Sequence, residues 1–125
     1  MAKKTYKIPG FPKGYHMTWY VVTQAGYMTY VRLYDKSRTY LSGKSDVRAI
    51  LPPLSYGESL IMGDDLMIEI DVPRSSFLDA RIFSNIIRDY RGDPVGYSFV
   101  LCSEDGGDED FNDCYVSLCA WKNKG

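Results

Sequence analysis

Between Ser103 and Asp113 the chain reads Ser-Glu-Asp-Gly-Gly-Asp-Glu-Asp-Phe-Asn-Asp, setting the six carboxylates of Glu104, Asp105, Asp108, Glu109, Asp110 and Asp113 within ten residues. Oxygen donors at this density are suited to holding hard divalent cations. Two carboxylates about 4 Å apart repel by roughly 4 kcal/mol at an effective dielectric near 20. A loop pinned at both ends cannot relieve that repulsion by spreading. Calcium takes about 6–8 oxygen ligands and accepts carboxylates, carboxamides and main-chain carbonyls in flexible geometry. Six acids together with Asn112 exceed what one ion uses, so the loop predicts two ions sharing bridging carboxylates. The acidic spacing is not that of an EF-hand, and no helical pattern flanks it. The alternative is an acidic surface turn that binds nothing, but apolar segments directly on both sides argue against it.

Those segments, residues 97–102 and 114–121, are rich in aromatic and β-branched side chains and predict two strands joined by the acidic loop. Upstream, residues 15–22 and 27–34 read as strands around a turn at 23–26, a predicted hairpin. A turn at 35–38, a short strand at 39–41, a turn at 42–46 and an apolar run at 47–51 follow, before the break at Pro52-Pro53. Residues 66–72 alternate Leu66, Ile68, Ile70 and Val72 with Met67, Glu69 and Asp71, the pattern of a half-buried strand. In residues 77–87, Leu78, Ile82, Phe83, Ile86 and Ile87 also fit helical spacing, but the surrounding strand spacing favours a strand. Residues 88–94 are a polar turn. Turn signals every 8–12 residues or so predict an all-β fold, an antiparallel sandwich of short strands.

At 125 residues the chain is expected to form one domain, residues 1–125. Fifteen basic and sixteen acidic residues nearly balance, and the net charge points to neither a nucleic-acid nor a membrane partner. Because the loop holds six of those acids, the remainder is mildly basic. The two lysines near the start precede no apolar stretch, so no secretory signal peptide is expected. No run approaches the roughly 18 apolar residues of a membrane helix. Cytoplasmic synthesis follows, with release or cell-surface association by another route left open. Cys102, Cys114 and Cys119 form no disulfide framework and, with the single His16, no zinc site. They read as buried thiols, with a Cys102–Cys114 cross-strand disulfide as the alternative. Catalysis is not expected: the acids crowd one loop instead of facing each other across a cleft about 5–10 Å wide. No Ser-His-Asp set and no phosphate-cradling glycine loop is present.

Residues 103–113 resemble the signature of the LecB-type bacterial calcium-dependent lectins, Ser-Glu-Asp-Gly-x-Asp-x-Asp-aromatic-Asn-Asp. Every fixed position is matched, with Phe111 as the aromatic. Weaker similarity extends over residues 39–50, Asp79-Ala80-Arg81 and the final glycine. The resemblance implies a β-sandwich lectin for fucose- or mannose-type sugars, with vicinal hydroxyls coordinated by two calcium ions. It implies that Glu104, Asp108, Asp110 and Asp113 hold the first ion, and that Asp110, Asn112 and Asp113 reach the second. A main-chain carbonyl, at Val22 or at Thr23 depending on alignment, and the Gly125 carboxylate of a neighbouring subunit complete the ligands. The tail before Gly125 is longer than the family's and lacks its usual proline. Thr23, Gln24 and Ala25 would form the specificity loop, with Gln24 larger than the residues usual there. Asp105 and the metal-bound carboxylates would accept bonds from sugar hydroxyls, and Asp46 would touch the far edge of the sugar. A homodimer or homotetramer is implied. The alternative function is an interaction domain whose calcium is purely structural and whose partner is a protein.

Overall fold

The computed structural model describes residues 2–123, which form nine strands and, among them, no helix. In chain order these are β1 (Ala2–Lys7), β2 (His16–Thr23), β3 (Thr29–Tyr34), β4 (Thr39–Ser45), β5 (Ser55–Leu60), β6 (Met67–Val72), β7 (Asp79–Arg88), β8 (Pro94–Glu104) and β9 (Cys114–Trp121). They make two antiparallel sheets, β1-β6-β3-β4 and β5-β2-β9-β8-β7. The expected all-β sandwich is the fold observed.

Strand alternation builds the core. In β6 the side chains of Ile68, Ile70 and Val72 are buried, while Met67, Glu69 and Asp71 are half-exposed. In β9, Cys114, Val116, Leu118 and Ala120 point between the sheets, with Tyr115, Ser117 and Cys119 on the outer face. Phe99, Leu101, Met17 and Val21 meet Leu33 and Val31 in one continuous cluster. The edge strand β1 is lysine-rich, and Lys3 pairs with Glu69 at 3.6 Å. Lysines at an edge discourage pairing with another sheet.

Several local expectations change. Residues 15–22 and 27–34 are strands, but they lie in different sheets and form no hairpin. Both flanks of β2 are already occupied, by β5 and β9, so β3 has no edge to pair with and crosses to the opposite sheet. Strand β4 runs on through 42–45, read above as a turn. Gly43 permits this, because a Cβ there would lie 2.8 Å from Leu54 Cδ2. Strands β1 and β5 are additional. Residues 77–87 are a strand, as favoured above: β7.

All three cysteines are free. Ser103 pairs with Cys114, and Cys102 with Tyr115. Successive side chains point to opposite faces, so Cys114 lies in the core and Cys102 on the outer surface. No disulfide can join them. Burial pushes the Cys114 thiol up to about 12.

The core should respond to truncation as a close-packed interior does. Phe99 is fully buried in the central cluster, and Phe99→Ala is expected to cost about 3–5 kcal/mol, read as a lowered urea midpoint.

Candidate metal centre

The order of the strands sets where the site forms. Thr23 pairs with Cys114, Cys114 with Ser103, and Ser103 with Ala80. The ends of β2, β8 and the starts of β7 and β9 therefore line up along one rim. The acidic loop 105–113 joins β8 to β9 at that rim. Three connections between the sheets, residues 24–28, 46–54 and 73–78, leave from the same end.

Glu104 follows the inward-facing Ser103 and points out of the sandwich, yet it is only 1% exposed. The loop itself covers it. Its Oε1 accepts the Phe111 N–H at 3.0 Å and its Oε2 the Gly106 N–H at 3.2 Å. Reaching back in this way places Glu109 and Phe111 in the left-handed region, at φ of 60° and 52°. Non-glycine residues enter that region at a cost of order 1–3 kcal/mol each. This strained backbone aims acidic side chains at one point: one carboxylate oxygen each from Glu104, Asp108 and Asp110 lie within 4.8 Å of one another. Oxygens around a single calcium, bonded at about 2.3–2.6 Å, have such separations.

Asp113 closes the loop. Its Oδ2 accepts the Asp105 N–H at 2.8 Å, its own N–H donates to the Ser103 carbonyl, and its carbonyl accepts the Gln24 N–H at 2.9 Å. Gln24 Nε2 reaches the Asn112 carbonyl at 3.4 Å, so this long side chain spans the gap between its connection and the loop. Thr23 is buried. Its hydroxyl donates to the Val47 carbonyl at 2.9 Å and lies 2.9 Å from Ser45 Oγ, which ties the two sheets together. Val22 pairs with Tyr115, Ala25 is buried, and Asp46 is exposed just beyond Ser45. Thus Asp113 adjoins the three-carboxylate cluster, Gln24 and Asn112 meet each other on the flank of the loop, and the side chain of Thr23 faces Ser45 and Val47. Gly125 lies outside the described residues.

Two supports escaped the sequence reading. Arg81 stacks its guanidinium 4.2 Å above the Phe111 ring and pairs with Asp79 at 2.9 Å, pressing the loop onto β7. Ser75 is buried, with its Oγ 2.5 Å from the Asp105 carbonyl and 2.7 Å from that of Phe77. Both contacts join residues remote in sequence, and only the run Asp79-Ala80-Arg81 hinted at the first.

Crowding and burial together shift several of these carboxyls. Burial, with the nearby carboxylates of Asp108 and Asp113, raises Glu104 to about 7. Burial and the neighbouring Asp105 carboxylate raise Asp113 to about 6. Burial also raises Asp105, whose Oδ2 is buried with no hydrogen-bond partner. Exposed Asp108 is lowered, first by its bond to Glu104. An all-oxygen donor set, a focus of three carboxylates and an orphaned carboxylate oxygen beside it fit a calcium-type ion.

The fold is that of a group of bacterial sugar-binding proteins. The Chromobacterium violaceum lectin CV2L, solved in complex with alpha-methyl-fucoside, superposes with a TM-score of 0.63 at 16% identity over 97% of this chain and 96% of that one. The Ralstonia solanacearum high-affinity mannose-binding lectin gives 0.68 at 15% identity, with the same coverage of both chains. The C-terminal domain of the BC2L-C lectin from Burkholderia cenocepacia gives 0.64 at 18% identity, again over 97% and 96%. No protein family's sequence profile and no curated protein sequence matches the chain.

Raised carboxylates make the metal-free fold sensitive to alkali. The folded state keeps a proton on Glu104 that the unfolded chain releases near its ordinary 4.5, so stability falls as pH rises through about 7. Glu104→Gln removes the charge but sets an NH2 group against one of the two amides that Glu104 accepts, so the diagnostic quantity is the change with pH. In EDTA the melting temperature of the variant relative to the wild type should rise from pH 4 to pH 8, as followed by circular dichroism. A difference that stays constant between those pH values would remove Glu104 as the source.

Proposed function

We propose that the protein is a calcium-dependent lectin for fucose- or mannose-type monosaccharides. The observation that carries this reading is the convergence of buried Glu104 with Asp108 and Asp110 of a strained loop that bonds to the 24–28 connection. Sugar binding by the three lectins of the same fold supports it.

In this reading Glu104, Asp108, Asp110 and Asp113 hold one calcium. Asp110, Asn112 and Asp113 reach a second, together with a main-chain carbonyl at Val22 or Thr23 and the Gly125 carboxylate of a neighbouring subunit. The pair of ions supplies coordination positions that a vicinal pair of ring hydroxyls can fill. The chain's own residues then select the sugar. Asp105, which lines the cleft beside the cluster, would accept a hydroxyl proton, as would the metal-bound carboxylates, and such charge-assisted bonds are about twice as strong as neutral ones. A sugar with a misoriented hydroxyl leaves buried groups unpaired. Gln24 closes one wall through its bond to the Asn112 carbonyl, with Ala25 buried in the same connection and Asp46 exposed toward the outer edge. Dimers or tetramers would raise avidity for multivalent glycans without new contacts.

Calorimetric titration with methyl fucoside and methyl mannoside, with calcium and again after EDTA, tests this directly. Heat only in calcium is the expected result, and it also ranks the two sugars. Calcium that raises the melting temperature while neither sugar binds would instead leave a structural ion and a protein partner. Removing Gly125 is expected to weaken calcium and sugar together, by tenfold or more, since even outer-shell changes cost about 10–100-fold at metal sites. Unchanged binding in the truncated chain would take Gly125 out of the ligand set.

A further inference from the structure

A cleft of about 570 Å³ opens from the metal centre on the side away from Gln24, a size typical of ligand pockets. Glu104 and Asp105 form its inner end, so cleft and metal centre are contiguous. Its outer walls come from three segments far apart in sequence: Tyr27, Arg74 with Phe77, and Gly107 of the loop. Tyr27 and Phe77 leave 42% and 48% of their surface open beside the cleft. Gly107 has no atom within 4 Å of where a Cβ would stand, so the loop wall is low and the cleft stays open there.

Its two cations are not equivalent. Arg81 is committed to Asp79 and to the Phe111 ring. Arg74 lies 5.7 Å from the Tyr27 ring, and among the described residues it has no carboxylate oxygen within 4 Å. Of the acids around it, Glu104 accepts the loop's own amides and converges with Asp108 and Asp110, Asp79 is paired with Arg81, and Glu109 lines the cleft without coming within 4 Å of this guanidinium. A planar guanidinium next to an aromatic face is suited to a carboxylate, which it binds through two parallel bonds.

We propose that this cleft is a second-residue subsite, in which the sugar attached to the metal-bound residue lies against Tyr27 and presents a carboxylate to Arg74. The preferred ligand is then an acidic glycan: a fucoside or mannoside joined through its glycosidic oxygen to a uronic acid. That linkage leaves the ring hydroxyls free for the calcium site. The inference rests on the lectin reading above and adds the class of glycan to it.

The test compares, in calcium, methyl fucoside and methyl mannoside with disaccharides in which the same residue is joined through O1 to glucuronic acid or to glucose. The glucuronic acid forms should bind about tenfold more tightly than the glucose forms, the range expected for a hydrogen bond to a charged group. Added salt should narrow that gap. Arg74→Gln should abolish it while leaving monosaccharide affinity unchanged. Equal affinity for acidic and neutral disaccharides, with monosaccharide binding intact, overturns the subsite alone. So does a preference that survives in Arg74→Gln. Failure of every sugar to bind overturns the lectin reading, and the subsite with it.

Discussion

Everything at the functional end of this molecule depends on one buried charge. Glu104 stands on the outside of a sheet, where a carboxylate would ordinarily be solvated, and the loop that follows it folds back and seals it off. Burying a carboxylate without a counter-charge is costly, and two amide donors do not offset it fully: the group still gives up its proton only near neutrality. Asp108 and Asp110, brought to the same point, make matters worse in the absence of a cation and far better in its presence. The left-handed turns at Glu109 and Phe111 are the geometric means of bringing them there. The backbone strain, the raised Glu104 and Asp113 carboxyls and the orphaned Asp105 oxygen share one physical origin, carboxylates crowded together where the loop folds back over Glu104.

The sandwich supplies the rigidity this arrangement needs. The loop springs from the two inner strands β8 and β9, each paired on both sides. Ser75 and Arg81 hold it from one flank, Gln24 from the other. None of these contacts touches the three converging carboxylates, yet each fixes a stretch of backbone that carries one of them or covers it.

The acidic loop and its flanking strands were legible because both signals are local. Six acids in ten residues are conspicuous, and period-2 alternation in 66–72 and in 114–121 follows directly from the geometry of a strand. The partnering of strands was not legible. Residues 15–22 and 27–34 look like a hairpin because they are adjacent in sequence, whereas the decisive fact is that β5 and β9, whose paired residues stand 34 to 105 positions further along the chain, already flank β2. The same gap explains the cysteines. Cys102 and Cys114 bracket the loop symmetrically, but the register Ser103–Cys114 puts them on opposite faces. At the site itself, ligand-type residues announced themselves by their chemistry, while Ser75, Arg81 and the stacking role of Phe111 depended on contacts that a one-dimensional pattern does not carry. Thr23 shows the converse: a polar residue in the right place whose hydroxyl is spent on joining the sheets.

That rim, where residues 24–28, 46–54 and 73–78 each pass from one sheet to the other, has a mechanical meaning as well. A force applied there does not find a single edge strand to peel. It is shared at once by both layers through three covalent links and runs in shear across many backbone hydrogen bonds instead of opening them one at a time. That anchorage is a property of the connectivity, independent of the identity of any one side chain.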